Sequence, residues 1–293
     1  MKNPLFFVKN HPVLTYFTLT FIISWGGIAV LGGPHGIPAP KAQFEALWPV
    51  VFLPYFFGPT LSGLLLIGII HGKEGIKNLL SRFIRWRVDV RWYAIAVLTA
   101  PLLVAPLLFI LAQISPVYVP AIVTAENKLT LIFMGVSVGL IFGGILEEIG
   151  WTGFAVPEMR KEYGSLFTGF MVGILWGIWH IFPTLWGSGD AAGTLSLSLF
   201  LPPCLFYVGV LPAYRILMTW VYDNTGSLLI NMFMHASLTA TTLFIFLPAA
   251  TGMDLALYYL VLTAIIWLIV LYLRFRLNSL VKSNTIIVNE ADV

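Results

Sequence analysis

The chain has 293 residues, of which 59% are apolar and 10% charged, and its mean hydropathy is +0.91. A soluble domain carries roughly 45–50% apolar and about 25% charged residues, so a water-soluble fold could not hide this much apolar surface and lipid must solvate much of it. The net charge of +3 is too small to suggest a nucleic-acid partner, and the single cysteine, Cys204, excludes an internal disulfide.

A spanning helix needs about 20 apolar residues. Runs of that kind lie at about 13–32, 46–70, 92–114, 129–150, 165–186, 195–220, 226–248 and 254–273. They predict an all-α polytopic membrane protein with about eight transmembrane helices. Pro54, Pro59, Pro101, Pro106, Pro202 and Pro203 fall inside these runs, which neighbouring helices can tolerate in a membrane. The N-terminal stretch lacks a short apolar region followed by a small-residue cleavage site, so the first helix is expected to be retained.

Lys and Arg set the orientation. With the N-terminus in the cytoplasm, Lys2, Lys9, the six basic residues of 73–91, Arg160, Lys161, Arg215, Arg274, Arg276 and Lys282 all fall inside. Only Lys41 and Lys128 fall outside. Both termini are therefore expected to be cytoplasmic. Within 73–91, Ile76, Leu79, Leu80 and Phe83 recur at helical spacing, which suits a basic amphipathic segment against the anionic leaflet.

Ionisable side chains inside spans are costly and mark functional candidates. Glu147 and Glu148 end the expected fourth span, His180 lies in the fifth and His235 in the seventh. At 1.5 Å per residue, each lies roughly 15–20 Å from the cytoplasmic charges or helix start of its own segment, so the three places can share one depth. His11, His35 and His71 sit at span ends or in loops and read as interfacial. Two imidazoles and a carboxylate can ligate a hydrolytic zinc ion. Without a metal, a glutamate in apolar surroundings can act as general base on water, with the histidines binding that water. Both routes lead to hydrolysis, and both stay open at this point.

These residues resemble the CPBP family of CAAX-type and bacteriocin-processing intramembrane proteases, lysostaphin-resistance-protein-A-like members included. Its Glu-Glu pair with Arg four positions later is similar to Glu147-Glu148 followed by Thr152. Its aromatic residue four before His matches Trp176 and His180, and its His followed four later by a small polar residue matches His235 and Thr239. GPTLSGLL at 58–65, the basic stretch before 93 and RILMTWVYDNTGSLL before His235 extend the likeness over about 55–245.

The resemblance implies a conical helical bundle with an intramembrane cavity opening to the cytoplasm, and a membrane-associated or lipidated peptide as substrate. It implies three regions: helices 1–3 within 1–128, a catalytic core at 129–249, and a last helix with a flexible cytoplasmic tail at 250–293. Glu147, Glu148, His180, His235 and Thr239 are then the catalytic candidates, with Glu147, His180 and His235 as ligands if zinc is used. Trp151 and Trp176 pack the cavity. Two positions depart from the pattern. Thr152 stands where Arg is usual, and a hydroxyl is a weaker, neutral donor to a carboxylate. Thr239 stands where Asn occurs, and Asn231, one helical turn before His235, is a candidate replacement for that amide.

Gly187-Ser188-Gly189-Asp190 with Asp223 mimics an aspartyl-protease signature, but the two aspartates are expected on opposite membrane faces. HExxH is absent, and Gly135-Val136-Ser137-Val138-Gly139, inside an apolar run, lacks the strand-to-helix context of a serine nucleophile. Two other classes remain to be separated: a proton- or metal-coupled transporter, and a catalytically impaired binding or immunity protein.

Overall fold

A computed structural model describes residues 4–291. Eight helices long and apolar enough to cross a membrane follow one another: α1 Pro12–Leu31, α2 Lys41–Phe83, α3 Val90–Ala112, α4 Lys128–Arg160, α5 Ser165–Gly187, α6 Leu197–Thr225, α7 Leu228–Ile245 and α8 Gly252–Phe275. Among the described residues there is no strand. The last helix continues past its span to Ala291.

Two helices differ from the hydropathy reading. In α2, Gly72 takes φ +60°, outside helical values, and separates the spanning part from the basic amphipathic part. A side chain would strain that conformation, whereas glycine accepts it. Beyond the break Leu79 is buried and Leu80 exposed, so the segment packs on one face only. In α4 the run does not stop at 150. The helix goes on to Arg160, so Glu147 and Glu148 lie inside a span and not at its end.

α4 also leaves the regular α-helical path. Residues Gly139–Glu147 and Trp151–Ala155 are wound as π-helix, on either side of Glu148–Gly150. Such turns have i→i+5 bonding and rotate the side chains that follow. Close packing holds α4 in the centre. A Cβ at Gly150 would lie 2.5 Å from the Pro59 carbonyl oxygen of α2, so only a glycine lets these two backbones meet. The Thr60 hydroxyl donates to the carbonyl of Leu146 at the same level.

The bundle has two chemically different ends. At one end, Glu158 after the glutamate pair accepts from Lys161 and meets His71 Nε2 at 2.7 Å. There Arg160 pairs with Asp223 at 3.1 Å, and Arg82 donates to Tyr222 and to the Gly153 carbonyl. At the other end, the Ala39 amide donates to the Trp186 carbonyl and the Ala121 amide to Leu247. Asp190 sits at this second end, held by its own loop. Asp190 and Asp223 thus lie at opposite ends, as the spacing of charges predicts.

Candidate active site

The two adjacent glutamates face different partners. Glu147 is 2% exposed, and both Trp151 Nε1 and Trp176 Nε1 donate to its Oε2, at 3.0 and 2.7 Å. The tryptophans therefore do more than fill space: their only polar side-chain atoms converge on one carboxylate oxygen. Trp176 also lies under the Arg215 guanidinium at 4.4 Å and edge-on to His235 at 4.7 Å.

Glu148 is fully buried and bound on both oxygens. Arg215 Nη2 donates to Oε1 at 2.7 Å and Nη1 to Oε2 at 2.9 Å. The Thr152 hydroxyl donates to the same Oε2, and His235 Nδ1 lies 2.7 Å from Oε1. A carboxylate only accepts, so His235 Nδ1 carries a proton, and in a neutral ring the other nitrogen is then an acceptor. That Nε2 is 4.0 Å from Glu147 Oε2.

His180 is fixed in the same sense. Its Nδ1 donates to the Trp176 carbonyl at 2.9 Å, one helical turn back, and its ring stacks on Tyr207 at 4.8 Å. Tyr207 belongs to the π-wound stretch Phe206–Val210 that follows Pro202 and Pro203 in α6. Thr239 lies one turn beyond His235. A Cβ at Gly143 would fall 2.8 Å from Thr239 Oγ1 and 2.9 Å from His235 Nε2, so glycine keeps this gap open.

Glu147, His180, His235 and Thr239 border one cavity of about 550 Å³, while Glu148 lies beneath it. Four of the five expected site residues thus share a wall, and the fifth holds one of them. Among the described residues, no three His, Cys, Asp or Glu side chains are gathered so as to hold a metal ion. The indole donors on Glu147 and the bidentate Arg215 on Glu148 fit ionic hydrogen bonding better than metal ligation.

Two expectations need correction. Arg215, expected at the cytoplasmic face, is 0% exposed and sits on Glu148. Its position eight residues before Asp223, roughly 12 Å along a helix, is the sign in the sequence that it lies within the span. Asn231 does not stand in for the amide missing at 239. Its Nδ2 donates to Thr152 Oγ1 at 3.2 Å and to the Met218 carbonyl at 3.1 Å, below the carboxylates. The cavity lining runs from Glu147 past Phe52 and Thr184 to Phe44 and Ser188.

The chain is similar to known proteins. Residues 128–241, which carry every candidate side chain, match the family model described as type II CAAX prenyl endopeptidase Rce1-like. The chain is also 19% identical over 229 residues to "CAAX prenyl protease 2" of Methanococcus maripaludis, covering 78% of this chain and 82% of that one.

Proposed function

We propose, from the likeness to CAAX-type membrane peptidases, that this chain is an intramembrane endopeptidase hydrolysing a peptide bond of a membrane-associated or prenylated peptide. The observation that carries the reading is a buried glutamate at the cavity floor, aimed by two indole N–H groups and facing an acceptor imidazole nitrogen.

In this reading a water donates one proton to Glu147 and the other to His235 Nε2. Both acceptors are preset, so the oxygen lone pair points to the substrate. Water oxygen attacks the scissile carbonyl carbon as Glu147 takes its proton. The Thr239 hydroxyl donates to the developing oxyanion. Glu147 then returns the proton to the leaving amine as the C–N bond breaks. His180, its Nδ1 engaged, offers Nε2 to the water or to a substrate amide N–H. Glu148 does not touch substrate: it holds His235 in the required tautomer, and Arg215 and Thr152 hold Glu148. No step needs a metal.

The test is cleavage of a membrane-peptide library by the protein in nanodiscs, with Glu147→Gln beside it. The expected loss is about 10²–10⁴-fold, with chelator leaving the wild type unchanged. Equal cleavage by both proteins would overturn the role of Glu147. No cleavage by either, with ion flux in vesicles or peptide binding instead, would favour a transporter or a binding protein.

A further inference from the structure

The two histidines at the cavity are held in different ways. His235 rests on Glu148, a buried carboxylate that Arg215 and Thr152 hold in turn. Among the described residues His180 has one polar tie, from Nδ1 to the Trp176 carbonyl of its own helix. A carbonyl oxygen accepts over a broad range of directions, so this bond alone does not fix the plane of the ring.

Aromatic rings supply what is missing. Tyr207 stacks on the imidazole, with centroids 4.8 Å apart and planes 19° apart. Trp179 meets the same ring edge-on at 4.8 Å and is itself stacked on Tyr55 at 4.0 Å. Stacked and edge-on contacts are the favoured arrangements of aromatic pairs. With Nδ1 bonded to Trp176, Nε2 is the ring nitrogen left for the cavity that His180 lines.

Local features of the sequence bring Tyr207 to this place. Pro202 and Pro203 remove two backbone donors from α6, and the helix goes on as the π-wound stretch Phe206–Val210, a winding frequent at functional sites. Gly177 of α5 faces Tyr207 so closely that a Cβ there would overlap the Tyr207 carbonyl oxygen. A Cβ at Gly209 would lie 2.5 Å from Thr263 Oγ1 of α8, and Trp267 Nε1 donates to the Gly209 carbonyl at 2.9 Å. The π-wound stretch is thus pinned between α5 and α8. Thr184 Oγ1 bonds the His180 carbonyl at 2.8 Å and meets the Tyr207 hydroxyl at 3.4 Å. The tip of the tyrosine therefore lies one turn beyond His180, and its ring, not its hydroxyl, meets the imidazole.

We infer that Tyr207 is a positioning residue of the peptidase: its ring, supplied from α6, sets the plane of His180 so that Nε2 meets the water or the substrate amide. It acts through the imidazole. The role in turnover rests on the peptidase reading, whereas the hold on the ring belongs to the fold and is measured without substrate.

Tyr207→Leu removes the aromatic face and keeps bulk, and Tyr207→Phe returns the face without the hydroxyl. Tyr207→Met stands in if the leucine variant does not accumulate. In nanodiscs at fixed pH, carbethoxylation of each histidine by diethyl pyrocarbonate is followed by mass spectrometry. The reagent takes the imidazole nitrogen that carries a lone pair, and a ring freed from its stack can turn that nitrogen outwards. His180 is expected to react several-fold faster in Tyr207→Leu and to return towards the wild-type rate in Tyr207→Phe, with His235 as the steady internal reference. Equal His180 rates in wild type and Tyr207→Leu overturn the proposal. So does a Tyr207→Phe rate as fast as that of Tyr207→Leu, because the hydroxyl would then be the part that holds the ring. On a library peptide that the wild type cleaves, kcat of Tyr207→Leu should fall about ten- to a hundred-fold with KM little changed, and Tyr207→Phe should recover most of it. A rise in KM alone would make Tyr207 a substrate contact, and an unfolding temperature that falls with kcat, unrescued by Tyr207→Phe, would make it a packing residue; either result overturns the positioning role. If the wild type cleaves no peptide, the peptidase reading fails, while the modification rates still decide whether Tyr207 holds His180.

Discussion

Arg215 and Thr152 together do for Glu148 what the expected Arg at 152 would do from its own helix. The guanidinium comes from α6 and takes both carboxylate oxygens, and the hydroxyl donates to one of them. Arg215→Ala leaves a buried carboxylate without its cation, a change that costs about 3–5 kcal/mol. It is expected to lower the unfolding temperature and kcat together. Adding Thr152→Arg returns a guanidinium from a position already touching Glu148, and should recover part of both. Recovery of stability without kcat would show that position 215 matters for folding alone. Trp176→Phe separates roles differently. It keeps an aromatic face for Arg215 and His235 but removes one N–H from Glu147. Losing a hydrogen bond to a charged group is worth about 1.5–3 kcal/mol, so kcat should fall roughly ten- to a hundred-fold with KM little changed.

At the scale of the helix, α4 uses two glycines for opposite purposes. Gly143 keeps space at the reaction site, whereas Gly150 lets α4 touch the backbone of α2. Gly143→Ala puts a methyl group against Thr239 and His235 Nε2, so turnover should collapse while thermal unfolding in detergent changes little. Gly150→Ala presses on the Pro59 carbonyl, so it should lower the unfolding temperature markedly. The reverse pairing of effects would contradict both assignments. The π-wound stretches explain why sequence spacing alone misjudges this helix. Hydropathy counts residues as if the winding were uniform, and it ends the span at 150, beside the glutamates, instead of at Arg160.

Across the whole molecule, the closed end depends on a few polar clamps between distant segments. Arg82 on the amphipathic segment reaches Gly153 on α4 and Tyr222 on α6. The adjoining stretch 84–89 is irregular and carries the exposed Arg85 and Arg87. Trypsin added to inverted membrane vesicles should cut there, and Arg82→Ala should speed that cut several-fold. Equal rates for both proteins would mean that the clamp does not hold the segment. The same fold-scale arrangement puts the glutamate pair between an aromatic-lined cavity and the basic end of the bundle.

Much of this is legible in the sequence because it depends on local properties. Apolar runs of sufficient length must become spanning helices in lipid, where each backbone must satisfy its own hydrogen bonds. Acids and imidazoles inside those runs are conspicuous because burying them is costly, and so the amino-acid order by itself singles out Glu147, Glu148, His180 and His235. What required the tertiary structure was pairing across the bundle. Arg215 lies 67 residues from Glu148 and Trp176 lies 29 residues from Glu147. Which faces meet is set by how helices dock, by π-turns that rotate α4, and by glycines that fix its approach to α2. The direction of the cavity was decided there too, because a void belongs to the packing of several helices and leaves no periodic trace in any one of them.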